Sequence, residues 1–152
     1  MSRRMLMALI ALIGVFVSLY LTLYKFGYVG TLACGTGSCE TVQLSKWGDF
    51  LGQPVAAWGV GYYLLVLAVA VAGVQERFVG SPRLTTTLLL VTGAGLLFSL
   101  WLTYLELFVI HALCRWCLGS AAMTVVLFGL AVWDSRVERG AEVVGRGDDG
   151  RA

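Results

Sequence analysis

Apolar and polar positions fall in long blocks along this chain. Residues 5–24 run twenty positions without a charge, 54–74 twenty-one and 84–105 twenty-two, while 116–133 adds eighteen. The third block keeps its apolar pattern past Glu106 as far as Leu113. A bilayer core needs about 20 residues of helix, with about 17–25 tolerated. Backbone groups in lipid must find their partners within the segment, so each block is read as a helix. The pattern predicts an all-α integral membrane protein, a four-transmembrane-helix bundle with spans at 5–24, 54–74, 84–113 and 116–133. Residues 1–133 form its single domain. Pro54 opens the second span, where its missing N–H costs nothing. Gly59 and Gly61, Gly93 to Gly95, and Gly119 with Ala121 and Ala122 would let helices approach closely. From Asp134 to the end the chain is polar, charged and Gly-rich, which predicts a disordered cytoplasmic tail over 134–152.

Composition sharpens this. Of 152 residues, 59% are apolar and only 13% charged, against about 45–50% and 25% in a soluble domain. So short a chain cannot hide that much apolar surface in one water-facing core. A net charge of +2, with no basic stripe interleaved with aromatics, gives no footprint for nucleic acid. With four spans, Arg3, Arg4, Arg77, Arg83, Arg136, Arg139, Arg146 and Arg151 share one side. Only Lys25, Lys46 and Arg115 lie on the other. This asymmetry predicts a multi-pass protein of a plasma (inner) membrane with both termini cytoplasmic. Arg3 and Arg4 ahead of an apolar run also suit a signal peptide. The run is long for one, and no small-x-small cleavage site follows it.

The chemistry lies in four cysteines, all on the outer, periplasmic side. Cys114-Arg-Trp-Cys117 straddles the start of the fourth helix, where three-residue spacing puts both sulfurs on one face. The helix N-terminus and Arg115 both favour thiolate, the form that attacks disulfides. A disulfide at this spacing staples very little chain, so a redox pair is the better reading than a structural bridge or a metal half-site. Cys34-Gly-Thr-Gly-Ser-Cys39 sits in the first outer loop, and its glycines predict mobility. Alone it reads equally as a small staple or as a shuttle. A second dithiol on the same face favours exchange between the pairs through a mixed disulfide. With His111 the only histidine and no paired Cys-x2-Cys units, no metal is expected. No haem, nucleotide or flavin motif offers an electron acceptor. A membrane quinone beside Cys117 needs none. Trp47, Trp58, Tyr62, Tyr63, Trp101, Tyr104 and Trp116 either line its pocket or form the interfacial aromatic belt.

These residues, in this order, resemble the vitamin K epoxide reductase family in its bacterial branch. The resemblance covers roughly residues 12–128. It rests on Cys34…Cys39, Ser45 six residues later, and Leu51-Gly52-Gln53-Pro54 entering the second span. Trp58-Gly59…Tyr62, Trp101…Tyr104-Leu105 and the Cys-x-x-Cys of the fourth helix complete it. DsbB-type proteins share the chemistry but carry their Cys-x-x-Cys in the first outer loop. The resemblance implies four helices around a quinone, capped by an outer loop and a short half-helix near residues 45–50. Electrons would enter at the loop pair, pass to Cys114 and leave from Cys117. Either loop cysteine could meet the partner; Cys39 is favoured for that step and Cys34 for exchange with Cys114. Trp58, Tyr62, Tyr104 and Cys117 are the expected quinone contacts. Many bacterial members carry a fused thioredoxin-like domain that this sequence lacks, so a separate DsbA-like partner is expected. The animal enzymes carry an Asn and a Tyr where this chain aligns Val55 and Ala121. Menaquinone or ubiquinone is therefore a better-suited substrate than the epoxide.

Three further residues are candidates. His111 could shuttle protons or simply close a helix. Glu106 is an ionisable group at depth, functional by default in lipid. Ser45 could hydrogen-bond near the thiols or cap a helix. The leading function is a quinone-linked oxidase of thioredoxin-like dithiols. The alternatives are a vitamin K epoxide or quinone reductase fed by external thiols, and a non-enzymatic scaffold with static disulfides.

Overall fold

The computed structural model describes residues 2–34, 38–78 and 80–148. Five helices dominate it: α1 (Arg3–Lys25), α2 (Ser38–Leu44), α3 (Val55–Ala72), α4 (Pro82–Leu105) and α5 (Arg115–Asp148). The four long ones are apolar enough to cross a membrane, with α4 continuing to Ile110. The protein is a multi-pass membrane helical bundle. Side chains facing outward from it, such as Phe16, Leu90 and Leu97, are large and apolar, as lipid requires.

Small residues set the helix spacing. A Cβ on Gly14 of α1 would lie 2.4 Å from the Tyr63 ring of α3, so the tyrosine packs directly on the α1 backbone. Tyr63 is fully buried, and its hydroxyl reaches Ser120 O at 3.0 Å and Ser120 Oγ at 2.8 Å, tying α3 to α5. Around it lie Met7, Ala11, Val66, Leu88, Leu127 and Ala131, which form the mid-bundle core.

A short cap covers one end. α2 is followed by a 3-10 turn (Lys46–Gly48) and a two-strand ladder, β1 (Asp49–Phe50) against β2 (Gln53–Pro54). Leu51 and Gly52 both have positive φ, the requirement of the tight hairpin turn that matches strand twist. The expected half-helix near 45–50 is only the 3-10 turn Lys46–Gly48, preceded by a longer helix, α2. Ser45 breaks it: its Oγ donates to Val42 O at 2.8 Å, a local bond that competes with helix continuation. Lys25 fastens the cap to α1, reaching Gln43 O at 2.6 Å and Asp49 Oδ2 at 3.3 Å.

The expectation of disorder from Asp134 is corrected. α5 runs without a break to Asp148, and residues 149–152 lie outside the described residues. A buried ion cluster that composition does not reveal holds the first turns past Trp133. Arg4 Nε meets Asp134 Oδ2 at 2.9 Å, Nη1 reaches Gly73 O at 3.0 Å, and Nη2 reaches Thr85 Oγ1 at 2.8 Å and also pairs with Glu138. Arg3 adds a second cation to Asp134 at 3.5 Å. One guanidinium therefore joins all four long helices at the end away from the cap.

Candidate functional site

The four cysteines meet beneath the cap. Cys34, Cys39 and Cys114 belong to one buried apolar cluster with Leu21, Leu32, Val42 and Ala56, and Cys117 packs against it. Cys34 and Cys39 are bonded to each other, while Cys114 and Cys117 are free thiols. The sequence predicts a mobile, accessible loop pair. The observed pair is instead closed in, with Cys34 2% and Cys39 0% exposed. Cys39 is carried on α2, whose inner face also presents Val42 and Gln43 to the bundle.

The second pair is positioned by the way α4 ends. Its last turn, Glu106–Ile110, widens to π geometry, a frequent mark of functional positions. His111 then takes the left-handed conformation at φ 53°, and the Ala112 N–H returns to Glu106 O at 3.1 Å. The bond spans one residue more than in a Schellman turn, in keeping with the π geometry, and the left-handed His111 ends the helix. It leaves residues 111–114 free to cross to α5. The Glu106 carboxylate, buried in the same turn, accepts the Cys114 N–H at 3.1 Å. It also stands within hydrogen-bonding reach of the Cys117 thiol. On the other side the Gln43 amide donates to Cys117 Sγ at 3.7 Å. Hydrogen bonding from Cys117 holds the Cys114 thiol below its ordinary pKa, although burial and the Glu106 charge oppose this. Cys114 is thus the readier nucleophile of the pair.

Cys117 opens onto a cavity of about 790 Å³ between the helices, under the cap. Its walls are almost entirely apolar, and the polar groups in them are few: Gln43, Trp47, Tyr62, Glu106 and Cys117 among them. Trp58 and Tyr62 lie in the wall as the sequence suggests, with Trp47 and Tyr63. Tyr104 does not. It is 56% exposed on the outer face of α4, stacked on Phe108 at 5.0 Å, because a position two before Glu106 on a helix points away from it. Trp101 and Trp116 also lie outside the cavity wall and pack on Phe50 and Tyr20 respectively. Ser45 and His111 are not in the wall either: one closes α2, the other closes α4. Gln43 went unnoticed in the sequence, since a lone Gln in a short loop carries no spacing signal. Its position on the inner face of α2, beside Val42 and four residues after Cys39, is the only hint. Among the described residues no cluster of three or more His, Cys, Asp or Glu could hold a metal.

Residues 5–132 match the vitamin K epoxide reductase family. The chain belongs to that family. Membership covers all four cysteines and every residue of the cavity wall. It makes the protein a vitamin K epoxide reductase-family oxidoreductase of the membrane, working between disulfides and a quinone. The bonded Cys34–Cys39 pair beside a second dithiol fits that chemistry.

Proposed function

We propose that this protein generates disulfides: it oxidises a separate thioredoxin-like, DsbA-like protein and passes the electrons to menaquinone or ubiquinone in a bacterial inner membrane. The cap end would face the periplasm, where disulfides persist, a reading supported by the Lys/Arg asymmetry of the sequence. The observation that carries the proposal is that Cys117 forms part of the cavity wall while Cys114 shares a buried cluster with the loop pair. One dithiol therefore borders both an exchange partner and a space that fits an apolar ring. The apolar wall with few convergent polar groups suits such a ligand.

The steps balance as follows. A partner thiolate attacks the Cys34–Cys39 bond, and resolution of the mixed disulfide leaves the partner oxidised and the loop pair as two thiols. A loop thiolate then attacks a Cys114–Cys117 disulfide at Cys114 and releases Cys117; the other loop thiolate attacks the resulting mixed disulfide, re-forming the loop bond and releasing Cys114. Cys114 and Cys117 next re-form their bond, giving two electrons and two protons to the quinone. Glu106 is placed to receive the Cys117 proton, and Gln43 to stabilise the thiolate left behind. The closed packing around Cys34 and Cys39 means that the cap shifts when the partner engages.

The test is thiol trapping in membranes. Cys117→Ala accumulates a mixed disulfide between Cys114 and a loop cysteine. Added quinone returns the wild-type Cys114/Cys117 pair to the disulfide, and a reduced DsbA-like protein opens the loop pair. Four thiols inert to both reagents would overturn the proposal. Reduction of the pairs by quinol, without oxidation by quinone, would reverse its direction.

A further inference from the structure

Tyr20 lies near the outer end of α1 and outside the cavity wall. Its half-buried side chain touches the segments that carry both cysteine pairs. The hydroxyl accepts the Ala33 N–H at 3.2 Å, and Ala33 directly precedes Cys34. Leu32 and Cys34, on either side of Ala33, are both buried, and the Cys34 N–H turns back to Leu32 O at 2.8 Å. This stretch of the loop is thus pinned at its backbone and packed inward around the pin. The Tyr20 ring meets the Trp116 ring at 5.5 Å, tilted by 59°. Trp116 stands between Cys114 and Cys117 in the first turn of α5. Tyr20, Trp116 and Cys117 all pack against the buried cluster that holds Cys34, Cys39 and Cys114. One side chain therefore braces the loop with its hydroxyl and the second dithiol with its ring.

We propose that Tyr20 is the positioning residue of the internal relay: it holds the loop pair and Cys114 at the separation that exchange between them requires. The inference rests on the relay proposed above and adds what aligns its two pairs. In the exchange a loop thiolate bonds to Cys114 as the Cys114–Cys117 bond breaks, and Cys117 leaves as a thiolate; the loop sulfur is oxidised and Cys117 reduced. The attacking sulfur must approach along the bond it breaks, and a misplacement of about 1 Å in such a geometry can cost about 10²-fold in rate. Cys34 is tied covalently to α2 through Cys39 only while the loop bond is closed. Once a partner opens that bond, the tie is lost at the moment a loop sulfur must meet Cys114. The Tyr20 bond to Ala33 does not depend on the disulfide and keeps the loop in place. Tyr20 contacts neither the quinone space nor a proton route, so its effect falls on exchange alone.

The experiment uses the full chain in nanodiscs, in a Cys117→Ala background with the loop disulfide closed. A jump from acid to neutral pH lets the Cys114 thiolate attack that disulfide: a Cys114–loop bond forms, and the displaced loop cysteine leaves as a thiolate. Acid quenching and alkylation of free thiols follow the rate. Tyr20→Phe keeps the ring on Trp116, removes only the hydroxyl and slows the reaction about two- to fivefold. Tyr20→Leu removes both contacts and slows it about tenfold or more, so the conservative variant restores part of the rate. With all four cysteines present, dithiothreitol as reductant and menadione as acceptor, kcat/KM for the quinone is unchanged in Tyr20→Phe. That ratio reports only the half-reaction at Cys117. Exchange as fast in Tyr20→Phe as with Tyr20 intact would overturn this inference and leave the proposed function standing. No mixed disulfide in the Cys117→Ala chain with Tyr20 intact would overturn the proposed relay itself. A Tyr20→Phe chain that exchanges slowly but also loses kcat/KM for the quinone and unfolds at lower temperature would show a general structural role and overturn the assignment.

Discussion

The two ends of this bundle both bury polar groups in an apolar protein, and they do so in opposite ways. At one end every arm of Arg4 has a partner: Asp134, Glu138, Thr85 and the Gly73 carbonyl. At the other, Trp47 Nε1 and Tyr62 Oη have none, and two thiols stand free beside a cavity. A satisfied buried network fixes one packing of helices. An unsatisfied one is a cost that the fold carries only where a ligand or a reaction meets it. The difference separates what holds this protein together from what it does.

The strongest way to break the comparison is to exchange the consequences of mutation at the two ends. Cys114→Ala or Cys117→Ala is expected to reduce quinone-dependent thiol oxidation to background. Neither thiol is bonded, so the thermal unfolding midpoint in detergent should stay within a degree or two of wild type. Arg4→Met should do the reverse. It leaves Glu138 without its cation and Asp134 with only the more distant Arg3, and breaking a buried pair costs about 3–5 kcal/mol. The unfolding midpoint falls steeply, while turnover per folded molecule is retained. Loss of activity from Arg4→Met at a temperature where the protein is fully folded would show that the two ends are not separable.

Gly95→Ala tests the cavity without touching a chemical group. The new Cβ would meet the Tyr62 ring at 2.3 Å, so either the ring or α4 must move. Overpacking of this kind costs about 1–3 kcal/mol. Because the Tyr62 ring is part of the cavity wall, the quinone KM rises. Gly14→Ala overpacks Tyr63 to a similar degree at 2.4 Å, and Tyr63 is bonded to Ser120. Its effect should fall on stability more than on KM. Equal KM changes from the two glycines would argue against a specific role for Tyr62.

These contrasts also show what a sequence can tell. The four spans were legible because lipid imposes one rule on every residue of a span, so a run of apolar residues suffices. The cysteines were legible because spacing and side of the membrane are both linear properties. The ordered continuation of α5 was not, since it depends on Arg4 finding Asp134 and Glu138 more than 120 positions away. Tyr104 illustrates the limit at the site. It belongs to the same motif as Trp101 and Leu105, yet the helix turns it outward, while Gln43, outside any motif, touches Cys117. Trp47 and Tyr62 could be named as aromatics near a pocket. That their polar atoms lack partners is a fact only of packing.

Glu106 joins the two lessons, being a buried carboxylate that holds the Cys114 N–H and stands beside the Cys117 thiol. Its charge opposes ionisation of Cys114, against the hydrogen bonding from Cys117 that favours it. Glu106→Gln removes the charge and keeps an oxygen for the Cys114 N–H. Cys114 should then ionise at a lower pH, so the pH profile of its alkylation in the reduced pair moves toward acid. The quinone step, which needs a proton acceptor beside Cys117, should slow over the whole range. Rates of Cys114 alkylation and of quinone reduction, followed separately against pH, check both signs. A profile that moved toward alkali would mean that Glu106 acts on Cys114 through position and not through charge.

The smallest effect is expected where the cap is fastened. Lys25 reaches Gln43 O at 2.6 Å and Asp49 Oδ2 at 3.3 Å, but Asp49 is about half exposed. An ion pair of that kind contributes about 0.2–1 kcal/mol. Asp49→Asn should therefore barely move the unfolding midpoint. Its functional effect has a definite sign all the same. The loop disulfide is enclosed by the cap that Lys25 holds, so a looser cap exposes Cys34 and Cys39 more often. Reduction of that bond by a DsbA-like dithiol should become slightly faster, and the gain should vanish at high salt, where the wild-type pair is screened as well. Quinone KM should not change, because Lys25 and Asp49 are not in the cavity wall. A slower reduction in Asp49→Asn would indicate instead that the ordered cap presents the disulfide to its partner.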